Sequence, residues 1–568
     1  MTGPKPLPLP DVPGLDAPAA DDPLSEAIAR PAVRADTRPP GPAPPAAQGS
    51  SLIRSSLVVS SLTLVSRVMG FARDVAVSYT MGASHGYAAD AYNTALAFPN
   101  LFRRIFAEGA FAAAFVPAYS KALARDGEEA ADRLAGDAMA VLAAATIALT
   151  VVAQLAMPWL MYVIAPGFAK DPAKFKLAVL LTQIAMPYLP CMAIYAHLSG
   201  VLTARGRFVI YALAPTLLNV GMLIAVLPTH NARAAAIAAS WGVLGAGVAQ
   251  VALLTWGVRK SGAAVHWTLP RLTPEIKALI GKAIPGAAAA SATQINIFIS
   301  GILASQVNGA RSWLAVADRL YQLPLGLVGV AMGVALLPRL SQAVQAHDQQ
   351  GADQAMDEAV GFSLALTLPA AAALVAMPFF LIDGLFTRGE FKTFDALQTA
   401  HALFYYGLGT PAFVLNQLFT RAFFARGDTK TPMRYAIAAV VVNVAAGLLL
   451  YLLIGFAGIA AATALAAWLN VILMAATLQR SGDYVPDLEV IVRIRKLIAA
   501  SVVMGLLMGA LSWLRPHYQH LLFRKEAAVV LVVLAGACAY LALLFAFRAL
   551  TPAEVRGAFR RSPKRVTR

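Results

Sequence analysis

Cysteine is nearly absent from this chain. The two present in 568 residues, Cys191 and Cys538, lie far apart inside apolar runs, so no disulfide framework is implied. Charge is also scarce: Asp, Glu, Lys and Arg make up 13% of the residues, where a soluble domain is nearer a quarter. The eight histidines are scattered, mostly between apolar runs, without metal-ligand spacing. No Walker-type phosphate loop occurs, which argues against ATP hydrolysis by this chain. The segments between apolar runs are short and leave no room for an extramembrane catalytic domain. Residues 1–50 have no sustained apolar stretch and hence no secretory h-region. Their Pro, Ala and Asp content predicts a disordered cytosolic tail, and its thirteen prolines are a linker composition.

Apolar length is what the chain has in abundance. It is 58% hydrophobic with a mean hydropathy of +0.64, and runs long enough to cross hydrocarbon recur from about Ser56 to Leu550. The expected fold is an all-α polytopic membrane protein. Gly/Pro punctuation and charge breaks divide it into fourteen spans. Twelve run at roughly 53–80, 88–120, 134–164, 175–204, 208–228, 234–258, 274–307, 311–344, 355–385, 396–425, 433–454 and 456–479. Two more follow at roughly 494–514 and 526–549.

Basic residues give the orientation. With the N-terminus inside, cytoplasmic loops and the C-terminal tail hold 26 Lys and Arg against 10 on the other side. Both termini are therefore expected in the cytoplasm. The formal charge of +16 then reads as topology signal and attraction to anionic lipid, not as a nucleic-acid patch.

A weak repeat divides the spans. Pro117, Ser120 and Ala122 recur as Pro338, Ser341 and Ala343, and Ala204-Arg205-Gly206 recurs as Ala425-Arg426-Gly427, both at an offset of 221. Six spans per copy is an even number, so the copies share an orientation and their pseudo-twofold lies along the membrane normal. The expected organisation is a tail (1–50), an N-lobe (51–260), a C-lobe (261–482), two appended spans (483–550) and a basic cytoplasmic tail (551–568).

Charges inside the spans demand an explanation, because an arginine near mid-bilayer costs roughly 2.5–3.5 kcal/mol on insertion scales. Arg67, Arg73, Arg103, Arg104 and Arg319 lie within spans, with Asp74, Asp90, Glu108 and Asp318 nearby. Asn100, Arg104 and Glu108 are spaced to share one helix face, and Arg104 has an internal partner to hand in Glu108. Asp74 beside Arg73 and Asp318 beside Arg319 fall on different faces and look like poorer partners. Cations facing lipid would be expelled, so Arg67, Arg73, Arg103 and Arg319 are expected to line a shared cavity. Guanidinium matches phosphate oxygens bidentately, so an anionic head group bound between two lobes is the expected ligand. Gly281, Pro285 and Gly286, near the start of the seventh span, are the best hinge candidates.

Several blocks resemble a known family. SRVMGFARD (66–74), DAYNTALAFPNLFRRIFAEGAFAAAFVP (90–117), APTLLN (214–219), ADRLYQLPLGLVGVAMGVALLPRLS (317–341) and GDTKTP (427–432) are similar to the MurJ/MviN family, over the chain from about Ser51. The resemblance implies a lipid II flippase of the multidrug/oligosaccharidyl-lipid/polysaccharide exporter superfamily, in the bacterial inner membrane, with fourteen spans in two lobes. It places the cavity arginines on Arg67, Arg73, Arg103 and Arg319, and an important acidic position on Asp90; Asp90, Asn100, Arg104 and Glu108 are expected to join the arginines in the substrate-binding cavity. Gln322 stands where relatives carry an acid. The implied cargo is undecaprenyl-diphosphate-linked disaccharide pentapeptide, its tail in lipid or in a groove of the last two spans. The implied driver is the membrane potential, with or without an ion gradient, and no cofactor. Cell-wall synthesis or divisome proteins are the implied partners, beside membrane phospholipid. Other readings stay open: a polysaccharide-unit or drug exporter of the superfamily, a glycosyltransferase acting on the same carrier, or a structural member of the wall-synthesis complex.

Overall fold

A computed structural model describes residues 48–84, 86–106, 110–521 and 524–549; side chains at 48–60, 102–110, 112–113, 285–293, 295, 327–338 and 521 are left aside. Ser55–Arg568 forms one compact unit. Among the described residues, eighteen α-helical segments account for the fourteen expected spans. In order they are α1 Gln48–Met81, α2 Ala88–Phe106, α3 Ala110–Arg125, α4 Glu128–Ile164, α5 Pro172–Ala185, α6 Tyr188–Ala204, α7 Phe208–Val226, α8 Ala232–Lys260 and α9 Pro274–Ala304. There follow α10 Ala310–Gln345, α11 Gln349–Ala376, α12 Pro378–Phe386, α13 Thr393–Ala425, α14 Lys430–Ile454, α15 Ala457–Arg480, α16 Leu488–Trp513, α17 Arg515–Tyr518 and α18 Lys525–Ala546.

The surplus helices have local causes. Span two is represented by α2 and α3, on either side of residues 107–109, which lie outside the described residues. Span four breaks at Met186-Pro187 and span nine at Met377-Pro378, since a proline ring removes a backbone donor and disfavours helix at the residue before it. One further short helix, α17, joins the last two spans. Eight helical segments among the described residues are long and apolar enough to cross a membrane by length and composition. The strongest of these, α14 and α18, leave Leu448, Leu452, Leu453, Val530 and Leu534 exposed, a surface suited only to hydrocarbon. Helix α1, with its intramembrane charges, falls outside that set.

Packing follows the repeat. One apolar core is built almost wholly from residues 304–549, while two others draw on residues 81–279. Helix boundaries recur at the offset of 221: α4 and α11 start at Glu128 and Gln349, and α6 and α13 end at Ala204 and Ala425. Each of these last two is followed by a glycine at positive φ, Gly206 and Gly427, a turn that only glycine makes without strain. We refer to α1–α8 as the first half and α9–α15 as the second. Helix α9 belongs to both, since Ile276 and Leu279 enter a first-half core and Ala304 enters that of the second.

The even-to-odd linkers are tied within each half. Arg205 bonds Tyr119 (2.8 Å) and Asp132 (3.1 Å), and the free Asp132 oxygen accepts from the Ala264 amide (2.6 Å). In the second half Arg426, at the equivalent position, pairs with Asp483 (3.5 Å). This end carries the termini of the bundle; the opposite end is where the halves meet.

Candidate substrate cavity and its closed end

Between the halves lie two adjoining cavities of about 450 and 430 Å³, which share Arg73, Asp74 and Arg319 as a common wall. Helical periodicity brings the lining together. Ser312, Ala315, Val316 and Arg319 of α10, continued by Gln322, Leu323 and Gly326, form one stripe at intervals of three and four. Asn93, Leu96 and Asn100 of α2 and Tyr188, Met192 and Tyr195 of α6 do the same.

Four of the expected residues meet here. Arg73 donates Nε (3.1 Å) and Nη2 (2.7 Å) to Oδ1 of Asp74, and Nη1 (3.0 Å) to Oδ1 of Asn219 on α7. Asn219 is itself oriented by donating to the Ser66 carbonyl (2.9 Å). The second oxygen of Asp74 takes Nε of Arg319 at 3.1 Å, joining α1 to α10 across the halves. The Arg319 side chain is 49% exposed, against 13% for Arg73, so Arg319 is the better placed of the two to meet a ligand. Arg67 is exposed at the wall of the second cavity and lies so close to α10 that a Cβ on Gly326 would sit 1.5 Å from its Nη1. With Arg67, Arg73, Arg319 and Asp74 in its wall, the second cavity carries a local charge of about +2.

Two expectations need correcting. Asp74 is not a poor partner for Arg73; the neighbouring side chains fold back toward each other, and the guanidinium fork is long enough to grip the carboxylate. Asp90 does not line the cavity. It is fully buried at the start of α2, where it accepts from Lys174 (2.7 Å), the Gly309 amide (2.7 Å), and both the amide (3.1 Å) and hydroxyl (2.8 Å) of Ser312. Its carboxylate thus caps the N-terminus of α10, where backbone N–H groups and the helix dipole favour an anion. Gln322 donates to Asp318, so that acid is engaged along α10 itself. Asn100 is at the cavity wall. The side chains of Arg103, Arg104, Glu108, Pro285 and Gly286 lie outside the described residues. Helix α9 runs unbroken through Gly281, where an added Cβ would meet nothing within 4 Å.

Sequence reasoning missed Lys174 and Arg311, two of the ten basic residues assigned to the side opposite the cytoplasm by their place at span ends. Each is buried at the closed end, Lys174 at 4% and Arg311 at 8% exposure. Arg311 is held by backbone carbonyls alone among the described bonds, Gly301 O (3.0 Å) and Ile164 O (3.0 Å).

A two-halved helical bundle with a cationic chamber between its halves, closed at one end by contacts from both, is the architecture of a membrane transporter. Comparison with known proteins narrows the class. The family model "Lipid II flippase MurJ" matches residues 77–541. A probable lipid II flippase MurJ of Rhizobium meliloti (strain 1021) is 42% identical over 80% of this chain and 85% of its own length. One from Rhizobium tropici is 40% identical over 85% and 92%, and the lipid II flippase MurJ of Burkholderia cenocepacia is 32% identical over 85% and 94%. A solved lipid II flippase MurJ in an inward closed conformation superposes with a TM-score of 0.71 at 23% identity, covering 89% of this chain and all of that one. An inward-facing multidrug resistance MATE family transporter of the MOP superfamily superposes at 0.61 with 16% identity, covering 75% of this chain and 98% of its own. The chain belongs to the lipid II flippase MurJ family and is a multi-pass bacterial membrane protein.

Proposed function

We propose that this chain moves lipid II, the undecaprenyl-diphosphate-linked peptidoglycan precursor, from the cytoplasmic to the outer leaflet by alternating access. The observation that supports this most is the cluster of Arg67, Arg73 and Arg319 around Asp74 in the cavity between the halves. A diphosphate diester carries about two negative charges at neutral pH, which matches the local excess of about +2. Asp74 keeps Arg73 and Arg319 in register while the cavity is empty, and the half-exposed guanidinium of Arg319 receives the phosphate oxygens. The basic-residue count supports a cytoplasmic position for the linked end and an outer position for the closed end. The halves correspond to an N-lobe (51–260) and a C-lobe (261–482), with α16 and α18 as a rest for the polyprenyl chain. Rocking of the lobes about the bound head group, with α9 bending near Gly281, would open the outer end. Membrane potential suits such a cycle, since each charge carried across 100 mV is worth about 2.3 kcal/mol.

The test is depletion of the native protein with complementation by Arg67→Ala, Arg73→Ala and Arg319→Ala, each checked for membrane abundance. The expected result is lost growth with lipid II held at the inner leaflet, at normal abundance for Arg67→Ala and Arg319→Ala and at reduced abundance for Arg73→Ala. Wild-type growth with all three would overturn the assignment. Loss of protein in place of activity would assign the arginines a structural role.

A further inference from the structure

The charged positions of the closed end recur at the repeat offset, though Asp90 and Lys174 pair directly while Arg311 and Asp395 each bond to other groups. The first seam is Asp90 on α2 with Lys174 on α5. Advancing each by the repeat offset of 221 lands on Arg311 of α10 and Asp395 of α13. The register is kept and the sign is reversed: acid then base in the first half, base then acid in the second. Ser84 and Ser305, in the linkers before α2 and α10, are also equivalent.

All four charges reach across the boundary between the halves. Asp90 accepts from Gly309 and Ser312 of the second half, and Asp395, fully buried, accepts from the Ser84 amide of the first (3.0 Å). Lys174 donates to Asn308 of the second half (2.9 Å), and Arg311 donates to Ile164 of the first (3.0 Å). Asn308 completes the link between the seams by donating to the Ser84 carbonyl (3.2 Å). Backbones also meet across the boundary at two further points. Gly167 of the first half abuts Ser305, where a Cβ would lie 2.2 Å from the carbonyl oxygen, and Gly389 of the second abuts Tyr79, where it would lie 2.4 Å away. Trp313 Nε1 adds a further bond to Asp395 (3.0 Å).

We propose that Arg311 and Asp395 form a second latch of the outer gate, equivalent to Asp90 and Lys174 with inverted charge, and that the two latches release together. Each half supplies one cation and one carboxylate, and no crossing bond survives separation of the halves. Asp395 is held by N–H groups alone and Arg311 by carbonyls alone among the described bonds, so both regain water on opening. Buried charges that exchange protein partners for water in one conformation and not in the other bias that equilibrium.

The inference concerns gating and rests on the proposed transport reading only for which face is outer. It is tested without substrate, on the full chain carrying Cys191→Ala and Cys538→Ala. A cysteine replaces Leu96 in the cavity wall beneath the seal, and a membrane-impermeant maleimide is applied to sealed cells and to inside-out vesicles. Asp395→Asn and Arg311→Gln are each expected to raise labelling across the sealed end several-fold, to the same extent as Asp90→Asn. Joining cysteines placed at Tyr79 and Glu390, whose backbones are hydrogen-bonded at 2.9 Å, with a short bifunctional thiol reagent should abolish that labelling even though the Asp90 seam is untouched. Labelling unchanged by Asp395→Asn, or persisting with the Tyr79–Glu390 link in place, overturns the second latch. A reversed orientation shows instead as a change in which face labels. Failure of transport in the complementation test leaves this readout unaffected.

Discussion

Replacing Gly326 with alanine separates the placement of Arg67 from the stability of the bundle. The new Cβ would stand 1.5 Å from Arg67 Nη1, 2.6 Å from its Cζ and 3.0 Å from Nη2. Ordinary contact begins near 3.4 Å, so the guanidinium must retreat by about 2 Å. It can do so cheaply, because the clashing atoms are the far end of an exposed, flexible side chain. Alanine within a helix is also favoured over glycine by about 1 kcal/mol. The expected variant is therefore as stable as wild type or slightly more so, while a displacement of even 1 Å at a positioned group can lower turnover by about 100-fold. Thermal unfolding in detergent together with lipid II translocation in vesicles reads both quantities. Combining Gly326→Ala with Arg67→Ala should be no worse than Arg67→Ala alone, since the methyl acts only through that side chain. Full translocation by Gly326→Ala at normal abundance, or additive losses in the double variant, would refute the reasoning.

Other predictions follow from the same bonds. Arg73→Lys keeps the charge but loses the fork to Asp74 and the bond to Asn219, so transport should fall further than abundance, whereas Arg73→Ala should also destabilise the protein by about 2–4 kcal/mol by leaving Asn219 and half of Asp74 unpartnered. Asp383 on α12 holds Arg515 at 2.6 Å and Lys525 at 3.0 Å; Asp383→Ala should loosen α18 and lower the unfolding temperature, read by proteolysis between α16 and α18. Asp428 accepts from the amides of Lys430 (2.9 Å) and Thr431 (3.0 Å) at the start of α14, and the bonds from Thr431 hold its carboxyl below the usual range. Its contribution to α14 is present above the ordinary carboxylate pKa and is lost as pH falls through the lowered value, so Asp428→Ala should remove that part of the acid sensitivity in hydrogen exchange of α14.

Length and periodicity made most of the fold legible before any coordinates. A chain with so few charges must put long apolar helices into lipid, and in lipid every backbone group must be bonded within its own helix, so span number and class follow from composition. The repeat was legible because turns after α6 and α13 need a glycine at positive φ, a local requirement that leaves a local mark. The cavity arginines were legible for a related reason: a cation in hydrocarbon is so unfavourable that its presence signals a wet lumen.

Which partner each charge takes was decided only by tertiary structure. Helical spacing argued against Arg73 and Asp74 meeting, yet a flexible guanidinium reaches its neighbour once Asn219 of α7 fixes its other end. Lys174 and Arg311 counted as charges at span ends because position in the chain reports proximity to a helix end, not burial. The approach of the two halves removes water from them, and it does so by bringing together residues 134 and 147 positions apart, Lys174 with Asn308 and Arg311 with Ile164. The sequence determined that this protein crosses the membrane repeatedly and keeps arginines there; the packing of one half on the other decided which of its charges line the cavity and which are buried at the closed end.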